Sequence, residues 1–245
     1  MPTFLTAEWR KLIMAQYEVP TELLAPFLPG GVELDLYQPA PNAPPRCYVS
    51  LVGFLFDRVR VKGLAIPFHT RFEEINLRFY VRRTEPDGTS KRGVVFIREF
   101  VPRRAIAFIA RRIYDEPYLA IPTRREISAT TETLTAEYRW HLAGRWHTLS
   151  AFASAQPQPI APASEEEFIT EHYWGYTKRR DGRTSVYEVQ HPRWHVYPIA
   201  AHPIAADFAT LYGPQFAFLN DQPAASVLLA EGSAVTVRSH TLQAP

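Results

Sequence analysis

"FEEINLRFYVRRTEPDGTSKRGVVFIREFV", residues 72–101, decides the fold. Two runs rich in β-branched and aromatic residues flank Pro86-Asp87-Gly88, a turn signal, so the stretch reads as a β-hairpin. Glu74, Asn76, Arg78 and Tyr80 recur at period two in the first run and share one face of a strand. Arg98 follows on the second run. Two readings of that polar face stay open. Facing the interior of a closed sheet, the groups converge on a polar pocket. Facing water, they form a solvated salt-bridge ladder that contributes little to stability.

Working outward, residues 11–19 and 47–61 read as strands, with a shorter strand over 32–37. "PTELLAPFLPGG", residues 20–31, reads as a short helix closed by Gly30 and Gly31. After the hairpin, Pro102 sits where a first-turn proline is tolerated. Ile106, Ile109, Ala110 and Ile113 then fall at helical spacing, which predicts a helix over 102–114. Residues 126–155 read as further strands, with a hairpin around Ala143-Gly144. Ser164 and Glu167 form a capping box that opens a helix over 165–174. Beyond it, "KRRDGRT" holds an Asp181-Gly182 turn. A two-residue turn there pairs Arg180 with Arg183 and Tyr176 with Tyr187, leaving the cations at a wet hairpin tip. Strands joined by short turns predict a mainly β (α+β) fold with an antiparallel sheet, closed or strongly curved. No linker divides the chain, so residues 1–245 are expected to form a single domain.

The composition narrows the function. The chain has 245 residues, 46% of them hydrophobic, and a formal net charge of +2. It is long enough for a substantial core, and its charge is too small for a dedicated nucleic-acid binder. No membrane span and no cleavable leader stand out. Cys47 is alone, so no intramolecular disulfide forms, and a cytoplasmic location is expected. Nothing in the composition opposes a homo-oligomer.

No metal motif, phosphate loop, dinucleotide fingerprint or nucleophile elbow is present, and no cofactor is expected. Arg-Trp-His occurs three times, at 139–141, 145–147 and 193–195. The Ala143-Gly144 turn points His141 and His147 to opposite faces, so they cannot share a metal. Cross-strand aromatic packing is the reading for both. An interaction module remains open, acting through an apolar surface around Trp174 or Trp194.

"VELDLY", "YVSLVGFLF", "FEEINLRFYVRR", "GVVFIREFVPR", "RRIYDEPY" and "HYWGYTKRRDGRT…HPRW" together resemble the YqjF-like family of uncharacterised bacterial proteins, over about residues 9–200. That family is similar in fold to acetoacetate decarboxylase. The resemblance implies a cone-like antiparallel β-barrel around an internal cavity, with helices outside. The decarboxylase uses one lysine as a Schiff-base nucleophile and a second, adjacent lysine to depress its pKa. Its signature is best matched by "ARRIYDEPYL", residues 110–119. Arg111 takes the signature's arginine and Pro117 its proline, and the two lysines fall on Tyr118 and Leu119. The chain holds four lysines, Lys11, Lys62, Lys91 and Lys178, and none forms a pair. Lys178 stands beside a turn among arginines, where the burial needed to depress its pKa is not expected.

The preferred expectation is a barrel that binds a small organic anion, of keto or hydroxy acid type. Arg78, Arg98 and Arg111 are its candidate carboxylate partners, and Glu74, Glu116, Tyr80 and Tyr118 complete the pocket. The alternative is an enzyme working by carboxylate and tyrosine acid–base chemistry on a small carbonyl compound. Glu116 or Glu74 would be its base and Tyr118 or Arg111 the electrophilic partner.

Overall fold

The computed structural model describes residues 1–243. Its main elements, in chain order, begin with four strands: β1 (Thr3–Glu18), β2 (Tyr48–Val61), β3 (Phe72–Thr84) and β4 (Ser90–Val101). Helix α1 (Arg104–Ile109) follows and continues as a wider π turn over Ala110–Tyr114. Next come β5 (Thr123–Ala129), β6 (Thr133–Leu142), β7 (Arg145–Ser154) and helix α2 (Glu165–Thr170). Strands β8 (Trp174–Lys178), β9 (Thr184–Gln190) and β10 (Ser226–Arg238) complete the set. Among the described residues, no helix is long and apolar enough to cross a membrane.

Seven strands run β10–β1–β2–β3–β4–β8–β9 in one sheet, antiparallel except where β8 joins β4. The ring closes where β9 meets β10, through the pairs Val189–Val237 and Gln190–Thr236. The barrel is therefore shut along most of its wall and held by a short seam at one place. Closure removes two sheet edges that would otherwise expose unpaired backbone groups.

Alternation along the ring strands separates two cores. One face of β2 and β3, including Leu51, Ile75, Leu77 and Phe79, packs outward. It meets Tyr138, Trp140 and Leu149 of a second antiparallel sheet built on β5, β6 and β7. Each such fully buried side chain contributes roughly 1.5–3 kcal/mol. The opposite face, with Leu12, Val52, Phe54, Phe56 and Phe72, turns into the ring. The sequence predicted strands over 126–155; that they form a separate layer outside the barrel is a tertiary outcome.

Three local expectations are met. The β3–β4 hairpin forms around Asp87-Gly88. The β6–β7 hairpin pairs Trp140 with His147 and His141 with Trp146, and each pair is in aromatic contact. Ser164 accepts the Glu167 amide at 3.2 Å and caps α2.

Two expectations are corrected. Helix α2 stops at Thr170, so Glu171, His172 and Tyr173 are not helical. The turn after β8 is wider than two residues: Arg179 and Arg183 close it, and Asp181 accepts the Arg183 amide. The register slips by one residue, pairing Lys178 with Thr184, Tyr176 with Val186 and Gly175 with Tyr187. A one-residue slip reverses every side chain. Tyr176 and Tyr187 therefore lie on opposite faces and form no pair.

Candidate functional site

Inside the ring lies a cavity of about 350 Å³, room for roughly a dozen water-sized groups. All seven ring strands line it. Its walls are mainly apolar, with Trp9, Phe54, Phe56, Phe72 and Phe96 prominent. Ile66 and Ile109 line it and are also exposed, which marks that side as the opening.

The polar face of β3 turns inward, and this resolves the first ambiguity of the sequence. Glu74, Asn76 and Arg78 all line the cavity. Tyr80 lies on the same face but is covered by the rings of Phe168 and His172. Its hydroxyl is held by Ser50 at 2.5 Å.

The arginines part company. A bulge in the β3–β4 ladder sets Leu77 opposite Arg98 and Arg78 opposite Phe96. The extra residue, Ile97, reverses the alternation of β4. Phe96 and Glu99 reach the cavity, while Arg98 points out and donates to the Leu211 carbonyl. Arg111 sits on the exposed surface of the π turn, in an outer depression with Arg104, Arg112 and Arg180. Of the three arginines expected to hold an anion, only Arg78 enters the cavity.

A third carboxyl joins Glu74 and Glu99. Asp115 adopts the left-handed conformation, φ 57°, and ends the π turn. The chain then bends inward, and Glu116 and Tyr118 reach the cavity. Glu74, Glu99 and Glu116 are only 2%, 2% and 6% exposed. Glu74 accepts from Asn76 Nδ2 at 3.0 Å and from the Tyr118 hydroxyl at 2.9 Å. Glu116 accepts from the Thr177 hydroxyl at 2.6 Å. Tyr187 completes this wall, lying over Gly175, where a Cβ would come within 2.1 Å of its ring.

Burial disfavours charge on all three acids. It raises Glu74 to about 7, with the Asn76 and Tyr118 hydrogen bonds and the Arg78 charge pulling the other way. Glu116 is raised to about 7 by burial, against the Thr177 bond and helped by the nearby charges of Glu74 and Asp115. Glu99 is pushed well above the carboxylate range, by burial first and then by Glu74 and Glu116. Near neutrality the cavity thus holds a neutral carboxylic acid beside two carboxyls poised to ionise.

His172 also lines the cavity; the sequence placed it on a helix, and the family-like run that it begins gave it no role. Its Nε2 lies 3.0 Å from Asp35 Oδ2, and Asp35 also accepts from Arg92 Nε at 2.6 Å. Burial opposes the Asp35 charge, but the bonds from His172 and Arg92 outweigh it and hold its pKa down. Burial, together with the Arg92 and Arg78 charges, lowers His172 to about 4, against the pull of Asp35. His172 is therefore neutral. Asn76 Oδ1, Arg78 Nε, Glu99 Oε2 and His172 Nδ1 are all buried without a protein partner. All four belong to residues that line this one cavity.

Among the described residues, no lysine lines the cavity. Lys178, the candidate amine, donates to the Pro26 carbonyl at 3.1 Å from an exposed position. Neither Trp174 nor Trp194 presents the apolar surface expected of an interaction module. Trp194 is buried and bonds Ser233, and Trp174 is half-buried beneath Lys91.

The sequence matches the model of the DUF2071 family, described as an uncharacterized conserved protein, over residues 6–234. The chain belongs to that family. No curated protein matches it. Among solved structures it is similar to the acetoacetate decarboxylase of Legionella pneumophila, with a TM-score of 0.64 and 14% identity, covering 99% of this chain and 88% of that one. It is also similar to an acetoacetate decarboxylase-like enzyme from Sphingomonas wittichii RW1, with a TM-score of 0.63 and 9% identity, covering 100% and 94%. A third is the enduracididine biosynthesis enzyme MppR, solved with a condensation product of pyruvate and imidazole 4-carboxaldehyde. There the TM-score is 0.60 at 12% identity, covering 99% and 90%. At these identities the likeness establishes the acetoacetate decarboxylase-like fold.

Proposed function

We propose that the barrel is an acid–base enzyme acting on a small carbonyl compound, with carboxyls in place of an amine nucleophile. One observation carries the reading: Glu74, Glu99, Glu116 and Tyr118 share one buried, apolar cavity. Burial and mutual repulsion poise such acids for proton transfer near neutrality. Tyr118, the residue aligned with the decarboxylase nucleophile, donates to Glu74 at 2.9 Å. A tyrosine cannot form an imine, so the chemistry rests on protons.

Ionised Glu74 takes a proton from the carbon beside the carbonyl. The C–H electron pair becomes the C=C bond, and the carbonyl π pair moves to oxygen, which takes the proton of neutral Glu99. The product is an enol, and the reverse step returns a proton to carbon. Incubating the protein with phenylacetone in D₂O tests this by NMR. Deuterium should enter the carbons beside the carbonyl faster than in buffer, and Glu74→Gln should slow it roughly 10²–10⁴-fold, the range for one general base. Exchange no faster than buffer, or unaffected by Glu74→Gln, rejects the reading.

A second reading has its own support. Arg78 Nε is buried without a protein partner in the cavity wall. A guanidinium so placed suits a carboxylate, and a small organic acid is the ligand this reading assigns.

A further inference from the structure

Arg78 does not stand alone on its side of the cavity. Arg78 Cζ lies 5.8 Å from the centroid of the Tyr80 ring, and the His172 ring lies 4.7 Å from the same ring. A cation and an imidazole therefore both lie against one aromatic, and both belong to residues that line the cavity. The imidazole is locked. Asp35 receives Arg92 Nε at 2.6 Å and is 3.0 Å from His172 Nε2. An ionised Asp35 can only accept, so Nε2 carries the proton and Nδ1 keeps its lone pair. The rings of Tyr80 and Phe168 both pack against the imidazole. Nδ1 is left as a buried acceptor with no protein partner, and Arg78 Nε as a buried donor with none.

Buried polar atoms of a folded protein are nearly always satisfied, so unsatisfied ones call for an explanation. An unpartnered acceptor and an unpartnered cationic donor, both set against Tyr80, match a ligand that presents a hydroxyl and a carboxylate. We infer that Arg78 and His172 form a head-group subsite for a 2-hydroxy acid, with the carboxylate on the Arg78 guanidinium and the hydroxyl donating to His172 Nδ1. The cavity supplies the remaining specificity. Its volume of about 350 Å³ and its Phe-rich wall leave room for an aryl or branched alkyl substituent on such a head. The inference rests on the anion reading of Arg78 and adds His172, to which the sequence reading gave no role.

Three probes of nearly equal size separate the contributions: mandelate, which has the hydroxyl; phenylacetate, which lacks it; and phenylglyoxylate, which has an acceptor in its place. Titration calorimetry on the full chain should find mandelate bound roughly tenfold to a hundredfold more tightly than either other acid, the range for one buried hydrogen bond. In His172→Gln the amide nitrogen can still donate to Asp35 while the Nδ1 acceptor is gone, so the three affinities should converge. Equal affinities in the wild type, or a mandelate preference that survives His172→Gln, overturns the hydroxyl assignment and leaves the Arg78 reading standing. Binding of none of the acids overturns both. If His172→Gln does not fold, wild-type protein labelled with ¹⁵N-histidine carries the test. Mandelate should shift the His172 Nδ1 resonance and phenylacetate should not, and identical shifts reject the inference.

Discussion

Replacing Glu116 by glutamine should stabilise the protein in alkali and leave it unchanged in acid. Glu116 is 6% exposed, and its pKa is raised from 4.5 to about 7. A carboxyl raised in the folded state binds more protons there than in the unfolded chain between those two values. Stability therefore falls as pH rises through that window. The contribution is fully present below pH 4.5 and lost above about 7. At 1.36 kcal/mol per unit, a shift of this size corresponds to about 3 kcal/mol. Glutamine keeps the carbonyl that accepts from Thr177 and cannot ionise. Urea denaturation of wild type and Glu116→Gln at pH 5 and pH 8 isolates the effect, since other titrating groups are common to both. The variant should exceed wild type by under about 1 kcal/mol at pH 5 and by about 3 kcal/mol at pH 8. A variant less stable at pH 8, or a difference independent of pH, would refute the claim that this acid is held in a desolvated cavity.

Two further outcomes follow from the same wall. Tyr118→Lys places an amine where the decarboxylase nucleophile aligns, among Glu74, Glu99 and Glu116. Those acids stabilise the ammonium, so burial should not free the amine, and cyanoborohydride with acetone should trap no adduct by mass spectrometry at pH 7. An adduct at residue 118 would show that desolvation outweighs the carboxyls. Gly175→Ala puts a Cβ within 2.1 Å of the Tyr187 ring, which should cost roughly 1–3 kcal/mol by urea denaturation, as overpacking does. A loss below about 0.5 kcal/mol, the scatter of neutral substitutions, would mean that Tyr187 moves aside freely.

Much of the barrel was legible because strand periodicity is local. The alternation in β3 places Glu74, Asn76 and Arg78 on one face regardless of what that face meets. Closure of the ring decides that it meets a cavity, and closure depends on the Val189–Val237 seam between segments far apart in the chain. Arg98 was misplaced for a comparable reason. Simple alternation gives Arg98 to one face and Glu99 to the other. The Ile97 bulge determines which face is inside, and no residue type near it announces a bulge. Arg111 was drawn to the site by alignment with a signature whose two lysines this chain lacks. Once the π turn is formed, its side chain faces solvent.

His172 shows how a residue escapes a sequence reading and still matters. It follows a well-capped helix, and the run of glutamates and aromatics after Ser164 favours extending that helix. Two competing contacts end it early. Tyr173 N bonds the Arg92 carbonyl at 3.1 Å, bringing the chain alongside β4, and Asp35 captures the imidazole 3.0 Å away. The partners lie more than eighty and one hundred residues away in sequence, so local propensity cannot register them. The same geometry gives His172 its chemistry. An imidazole fixed at one nitrogen by a carboxylate has a defined tautomer, and burial keeps it neutral when the pH is well above 4. Its free nitrogen is then a directional acceptor rather than a second positive charge beside Arg78. A protonated His172 would strengthen anion binding and erase the distinction between a hydroxyl and a keto oxygen. In the proposed subsite, discrimination thus depends on the desolvation that holds His172 uncharged, as the proposed acid–base chemistry depends on the desolvation of the three glutamates.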